Sequence, residues 1–368
     1  MFCDHCGTAN RDEARFCRSC GAPLAPGVSA PGSSLPTREG PPAVPEAVRV
    51  ALADGFDVVR LLGEGGMGVV YLARERALDR PVAIKVLRAE LASDERNVQR
   101  FLQEARLAAR LRHPNIVSVH AVGSRGAVHY FTMDFVEGST LDRHARSEGG
   151  LLPTRTRPIL LAIARAVGHA HRQGIVHRDL KPNNVMIDGS GHVFVMDFGL
   201  AKPRDSGALT TVGAVVGTPQ YMSPEQFDGR GATARSDVYA LGLIHFFLLT
   251  GEHLVRGETM ASMIAQHLSG SVRTRLAADP RVSEADRSLI LAMLETDPQR
   301  RPTSVEALLP ALESAAHSGP SPDPPTRTPG PGTGFVPERQ ASTPASPMRR
   351  RARERIQALL KKRDDEKK

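Results

Sequence analysis

The octapeptide His177-Arg178-Asp179-Leu180-Lys181-Pro182-Asn183-Asn184, followed by the tripeptide Asp197-Phe198-Gly199, decides how this 368-residue chain is read. Upstream of it, Pro158 to Arg172 reads as a buried helix closed by Gly174; downstream, Ser236 to Thr250 reads as an apolar helix closed by Gly251. Further toward the N-terminus, Val98, Phe101, Leu102, Ala105, Ala108 and Ala109 follow helical spacing. Strands are predicted over Val69 to Ala73 and Val82 to Leu87, with shorter ones near Ile116 to Val122 and His129 to Phe135. Strands with a single helix come first and helices dominate afterwards. That segregation predicts an α+β fold in two lobes, one sheet-rich and one helical.

The first strand pair carries a glycine pattern. Gly63-Glu64-Gly65-Gly66-Met67-Gly68-Val69-Val70 fits G-x-G-x-x-G-x-V, which alone could also open a dinucleotide-binding unit. There a helix should follow, whereas Val69 to Ala73 continues as a strand, so a strand-turn-strand lid over phosphates fits better. Val82-Ala83-Ile84-Lys85 matches the V-A-I-K signature on the next strand. A lysine on a buried strand needs a partner, and Glu104 of the predicted helix, nine residues before His113-Pro114-Asn115, is the natural one. Taken singly, each of these charges is usually no more than a solvated side chain.

Read jointly, they resemble the nucleotide-binding elements of eukaryotic-type protein kinases. The octapeptide and Asp197-Phe198-Gly199 are similar, in order and spacing, to that family's catalytic and metal-binding loops. Ser223-Pro224-Glu225 stands in place of its A-P-E signature; Asp237 and Arg301 sit where it carries a structural aspartate and the arginine partner of that glutamate. The resemblance runs from residue 56 to about residue 313, and Lys181 marks the serine/threonine form, most like the bacterial kinases.

The resemblance implies a two-lobed protein-kinase-like fold and an enzyme, an ATP-dependent protein serine/threonine kinase using Mg²⁺. A transferring γ-phosphoryl spreads negative charge over its oxygens, so such a site must supply positioned cations and an in-line nucleophile. Carried over by position, Lys85 holds the α and β phosphates and is braced by Glu104. Asn184 and Asp197 ligate Mg²⁺, Lys181 steadies the γ-phosphate, and Asp179 takes or orients the proton of the substrate hydroxyl, a contribution of about 10²- to 10⁴-fold. Gly63, Glu64, Gly65, Gly66, Met67 and Gly68 form the lid. Leu62, Val70, Ala83 and Met186 clamp adenine, Met133 guards the back of its pocket, and the backbones of Asp134 and Val136 supply hinge hydrogen bonds. Residues such as Val70, Ala83 and Met186 would be core in any fold of this composition; only the motif context makes them pocket. His177, Phe198 and Asp237 are assigned to packing. Arg178 before Asp179 marks, in this family, kinases switched by activation-loop phosphorylation, with Thr210 and Thr211 as candidate sites and Thr218 as a substrate-side residue.

The ends of the chain have other compositions. Residues 1 to 21 hold all four cysteines as Cys3-x-x-Cys6 and Cys17-x-x-Cys20, each pair followed by a glycine. Four thiolates at such spacing suit a structural Zn²⁺, and the arrangement resembles the short zinc ribbons of many bacterial proteins. Disulfides would need an oxidising compartment, redox Cys-x-x-Cys chemistry a strand-helix context, and four-thiolate iron remains the other metal reading. A closed four-cysteine site leaves no open position for a substrate, so the ribbon is expected to recruit a protein partner. Residues 22 to 52 read as a Pro-rich linker, 53 to 315 as the protein kinase domain, and 316 to 347, with nine prolines from Ser318 onward, as disordered. Residues 348 to 368 form a basic charged tail.

Charge excludes little beyond a nucleic-acid groove. Of the formal +8, the tail carries +6 from ten Lys/Arg against four Asp/Glu, leaving +2 for the other 347 residues. Nucleic acid is therefore not an expected partner. No apolar run reaches the roughly 18 to 20 residues of a membrane span, and no secretory pattern opens the chain, so the expected compartment is the cytoplasm. The competing function is a pseudokinase scaffold carrying a zinc-ribbon interaction module. Pseudokinases usually lack one of the residues that Lys85, Asp179 and Asp197 supply here.

Overall fold

In the computed structural model, which describes residues 44–198, 219–257 and 259–317, a short helix, α1 (Glu46–Leu52), precedes three antiparallel strands. These are β1 (Phe56–Glu64), β2 (Gly68–Glu75) and β3 (Arg80–Leu87). After a four-residue turn of helix, α2 (Ala89–Ala92), comes α3 (Glu95–Ala108), capped by the Asp94 carboxylate accepting from the Arg96 amide. Strands β4 (Val119–Arg125) and β5 (Val128–Asp134) complete a five-stranded sheet in the order β1-β2-β3-β5-β4.

β3 lies at the centre of that sheet, and the two-residue period of a strand divides its side chains cleanly. Val82, Ile84 and Val86 face one apolar cluster with Tyr71 and Ala73; Ala83 and Leu87 face another with Phe101, Phe131 and Met133. The second face is covered by α3, whose buried residues Val98, Phe101, Glu104 and Ala105 fall on one stripe. The first is covered by Val48 and Leu52 of α1 and by Val44 just before it. This corrects the expected linker over 22 to 52: its last seven residues are a helix packed on the sheet. The prolines up to Pro45 hide an apolar spacing of four that runs through Val44, Val48 and Leu52.

A three-residue strand, β6 (Gly138–Thr140), leads to α4 (Leu141–Ser147) and the long helix α5 (Pro153–Arg172). That helix starts one and a half turns before the predicted Pro158, because Pro153 already occupies its first turn, where a missing N–H costs nothing. Strand β7 (Val185–Asp188) pairs with β6 and β8 (Val193–Val195) with β7, in a small three-stranded sheet. The C-terminal lobe then adds α6 (Pro224–Phe227), α7 (Ala234–Thr250), α8 (Met260–Ser269), α9 (Ser271–Ala278), α10 (Glu284–Met293) and α11 (Leu309–His317). α7 is buried along Ser236 to Thr250 and is stopped by Gly251 at φ 70°, as the sequence predicts. The strand predicted over Ile116 to Val122 forms from Val119 onward as β4; just before it, Ile116 bridges Val195, and the Val117 amide donates to the Val195 carbonyl at 3.0 Å, which joins the lobes. No helix among the described residues is long and apolar enough to cross a membrane.

Candidate active site

The cleft between the lobes is built from β3, α3, the loop after α5 and the end of β8. Lys85 is on the α3-facing side of β3, and Glu104 is on the sheet-facing stripe of α3. Their charges meet at 3.4 Å, while the Lys85 ammonium lies 2.7 Å from Asp197 Oδ1, just beyond β8. The Phe131 ring packs beneath it, 5.7 Å from the nitrogen. Burial works against the Lys85 charge, but Asp197 and Glu104 more than offset it and raise its proton affinity above the ordinary lysine value. Burial also raises Glu104, against the opposing pull of Lys85.

Asp179 sits in the loop between α5 and β7, in a ring of short contacts. Lys181 Nζ lies 3.0 Å from its Oδ2. The Asn184 amide nitrogen donates to its backbone carbonyl at 2.8 Å and to Oδ2 at 3.2 Å. That orientation commits the Asn184 nitrogen and leaves its oxygen as the acceptor for a cation. The donors Asn184 and Asp197 are hard oxygens, the kind Mg²⁺ takes, and Lys85 alone faces two carboxylates. The residues present therefore fit the metal that the sequence implies.

The loop is held in a costly backbone shape. Three described non-glycine residues have positive φ, and two of them are Arg178 (65°) and Asp197 (54°), which flank the chemistry on both sides. Asp237 of α7 fixes the first: its carboxylate accepts from the His177 amide at 2.8 Å and the Arg178 amide at 3.0 Å. His171 of α5 also donates to it, at 2.7 Å, a contact that sequence patterns do not announce. The His177 ring packs on Phe198 at 4.6 Å and bonds the Met196 carbonyl at 3.2 Å, while burial lowers its proton affinity. These are the contacts of a buried packing residue. Glu225 and Arg301 form the anticipated buried pair, with two bonds of 2.8 Å.

Above the cleft, the glycine turn from Gly63 to Gly68 is closed by the Gly65 amide donating to the Gly68 carbonyl at 2.8 Å. At Gly68 a side chain has no room, since a Cβ would lie 2.8 Å from the Val86 carbonyl oxygen. Glu64 does not face inward: it pairs with Arg88 at 2.8 Å, and Arg88 also bonds the Gly65 carbonyl. Behind the turn, the buried Ala83, Met133 and Val136 and the partly covered Leu62, Val70 and Met186 belong to one apolar cluster. The Asp134 amide already donates to the Ser118 carbonyl at 3.0 Å, so that backbone N–H is not open to a ligand. Thr210, Thr211, Thr218 and the cysteines Cys3, Cys6, Cys17 and Cys20 lie outside the described residues.

Comparison with known proteins adds to this geometry. Residues 56–311 match the protein kinase domain, and residues 2–24 match a zinc-ribbon domain. The chain is 39% identical over 260 residues to the serine/threonine-protein kinase PrkC of Bacillus subtilis, covering 71% of this chain and 40% of the relative. It is 41% identical over 285 residues to the serine/threonine-protein kinase pkn3 of Myxococcus xanthus, covering 74% and 52%. It is 40% identical over 256 residues to the serine/threonine-protein kinase PknB of Mycobacterium tuberculosis, covering 68% and 41%. The matched region thus spans about half or less of each of these relatives.

Proposed function

The chain belongs to the protein kinase family, and from that premise we propose that it transfers the γ-phosphoryl group of Mg-ATP to serine and threonine hydroxyls of proteins. The observation that carries this is the joint placement of Lys85 between Glu104 and Asp197, across the cleft from Asp179 in its ring with Lys181 and Asn184. Asn184 and Asp197 would hold the metal, which when bound neutralises charge on the phosphate oxygens. Lys85 binds and orients the phosphates, with Glu104 setting its position. The pocket of Leu62, Val70, Ala83, Met133, Val136 and Met186 takes the adenine ring and excludes water from it. Asp179 accepts the proton of the incoming hydroxyl, and Lys181 beside it balances the charge.

Transfer of label from γ-labelled ATP by the purified protein tests this. Wild type should label Ser or Thr, and Asp179→Asn should not; phosphotyrosine as the main product would contradict the reading of Lys181. The same mapping tests regulation. Autophosphorylation at Thr210 or Thr211 is expected to raise activity, and Arg178→Ala to erase the difference between phosphorylated and dephosphorylated protein. Fully active protein with both threonines unmodified would remove that part alone. The four cysteines are proposed to hold one structural Zn²⁺, and the ribbon to recruit a protein partner. The basic tail and residues 318 to 347 are assigned no role in transfer.

A further inference from the structure

Strand β4 pairs Val119 with Met133 and Ala121 with Thr132, so His120 is one residue too many, a bulge beside the residue that guards the adenine pocket. Bulges turn a side chain out of its regular direction. Here the turned imidazole brings Nε2 to 2.7 Å from Asp134 Oδ1, and its Nδ1 to 3.0 Å from the Arg80 guanidinium. A guanidinium only donates, so Nδ1 is the acceptor and the ring proton sits on Nε2, donating to Asp134. Arg80, the first residue of β3, also donates from Nε to Glu75 Oε2 at 2.6 Å, across the β2–β3 pair. The second Asp134 oxygen accepts from the Ser118 amide at 3.1 Å, and the Asp134 amide returns a bond to Ser118 at 3.0 Å. A chain of alternating donors and acceptors thus runs Glu75–Arg80–His120–Asp134. It ends on the residue that directly follows Met133.

We propose that this chain is a positioning device for the nucleotide base, with His120 as its key positioning residue. It rests on the kinase reading above. The Asp134 side chain is committed to His120 and Ser118 and its amide to Ser118, so the backbone group left at that residue for a ligand is an acceptor held in a fixed place. Adenine presents an amino donor on the edge where guanine presents a carbonyl acceptor. A fixed acceptor therefore favours ATP and sets two acceptors against each other for GTP; an acceptor free to shift discriminates less. His120 touches no reacting atom, and its effect passes through Asp134.

Steady-state kinetics of the full chain with ATP and with GTP, together with calorimetric binding of each nucleotide, test the assignment. His120→Leu should raise KM for ATP about three- to tenfold with kcat within about twofold. It should lower the preference for ATP over GTP by a similar factor. His120→Gln, whose amide oxygen can accept from Arg80 and whose nitrogen can donate to Asp134, should restore most of both. Arg80→Met should shift them in the same direction by less. A melting curve on each variant separates positioning from folding: lower stability and kcat with an unchanged ATP-to-GTP ratio would overturn the proposal. So would equal behaviour of the Leu and Gln variants. Wild-type protein that binds ATP selectively yet transfers nothing would instead count against the kinase reading, because the binding arm still reports on His120.

Discussion

Helix α7 and strand β3 are both buried along most of their length, but they handle their charges in opposite ways. α7 lies in one continuous core, and the charges around it close on themselves. Arg301 meets both oxygens of Glu225, which also accepts from Ser236 at 2.6 Å; its remaining donors reach the carbonyls of Glu295, Arg235 and Thr296. β3 lies between two thinner clusters, and its one buried charge, Lys85, faces the two carboxylates of Glu104 and Asp197. Around α7 the polar groups hold shape. Beside β3 one ammonium is left facing two carboxylates, Glu104 of its own lobe and Asp197 of the other, a surplus of hard acceptors that suits a divalent metal.

The largest effects should separate these two regions by what is lost. Lys85→Met or Asp197→Ala is expected to reduce phosphotransfer by about 10²-fold or more. Melting temperature should fall less than for a break in the helical lobe: Asp197→Ala leaves Lys85 paired with Glu104, and Lys85→Met leaves Glu104, whose proton affinity burial already raises. Equal turnover by these variants and wild type would remove the assigned mechanism.

Next comes the closed pair. Arg301→Ala leaves Glu225 buried without its partner and is expected to cost about 3–5 kcal/mol of stability, read by denaturant or thermal unfolding. Burial alone would raise the Glu225 proton affinity, but the bonds and charge of Arg301 and the Ser236 hydroxyl reverse this and hold it below the usual glutamate value of 4.5. A carboxylate depressed in the folded state stabilises above its unfolded value, and that contribution disappears as pH falls below it. Wild type should therefore lose stability on acidification below about pH 4.5. Glu225→Gln should lose less over the same range, and identical acid profiles would contradict the pairing.

The same contrast governs which residues declare themselves in the sequence. Asp179, Lys181, Asn184, Asp197, Lys85 and Glu104 are legible there because they fall in motifs with fixed residue types at fixed spacings that the protein kinase family shares, and glycines and prolines mark the turns between them. The pocket residues are legible only through that context. His171 and His120 are not, since they matter through hydrogen bonds across the fold, His171 to Asp237 and His120 to Arg80 and Asp134, and a lone histidine carries no spacing signal. The bulge that turns His120 arises from the register of β4 on β5, which no local pattern encodes. Helix α1 has a signal, the four-residue spacing of Val44, Val48 and Leu52, masked by the prolines before it.

That helix gives a smaller test within the sheet lobe. Leu52 is 1% exposed against the outer face of the sheet, and Leu52→Ala is expected to cost about 2–4 kcal/mol. Below the melting temperature, turnover and KM for ATP should stay near wild type, because the cluster it supports is on the side of β3 away from Lys85. A change in KM without a change in stability would show that the two faces of the sheet are coupled.

The smallest effect on transfer is expected from the segment farthest from this contrast. All four cysteines fall within residues 3 to 20 and none elsewhere, so one tetrahedral zinc would use every thiol in the chain. A unit of about 20 residues buries too little apolar surface to fold without its metal. Chelation should therefore unfold the ribbon, with release of one zinc per chain and loss of its protection from proteolysis. The Pro-rich stretch before Val44 separates that unit from α1, where the packed domain begins. With Mg²⁺ resupplied after desalting, phosphotransfer to a generic protein substrate should remain within about twofold of wild type, as should that of a Cys17→Ser/Cys20→Ser variant. Loss of that activity would show that the ribbon works inside the catalytic cycle. Loss confined to one protein substrate would mark it as the recruiting element, since the chemistry at Asp179 would then be intact and only delivery of the hydroxyl impaired.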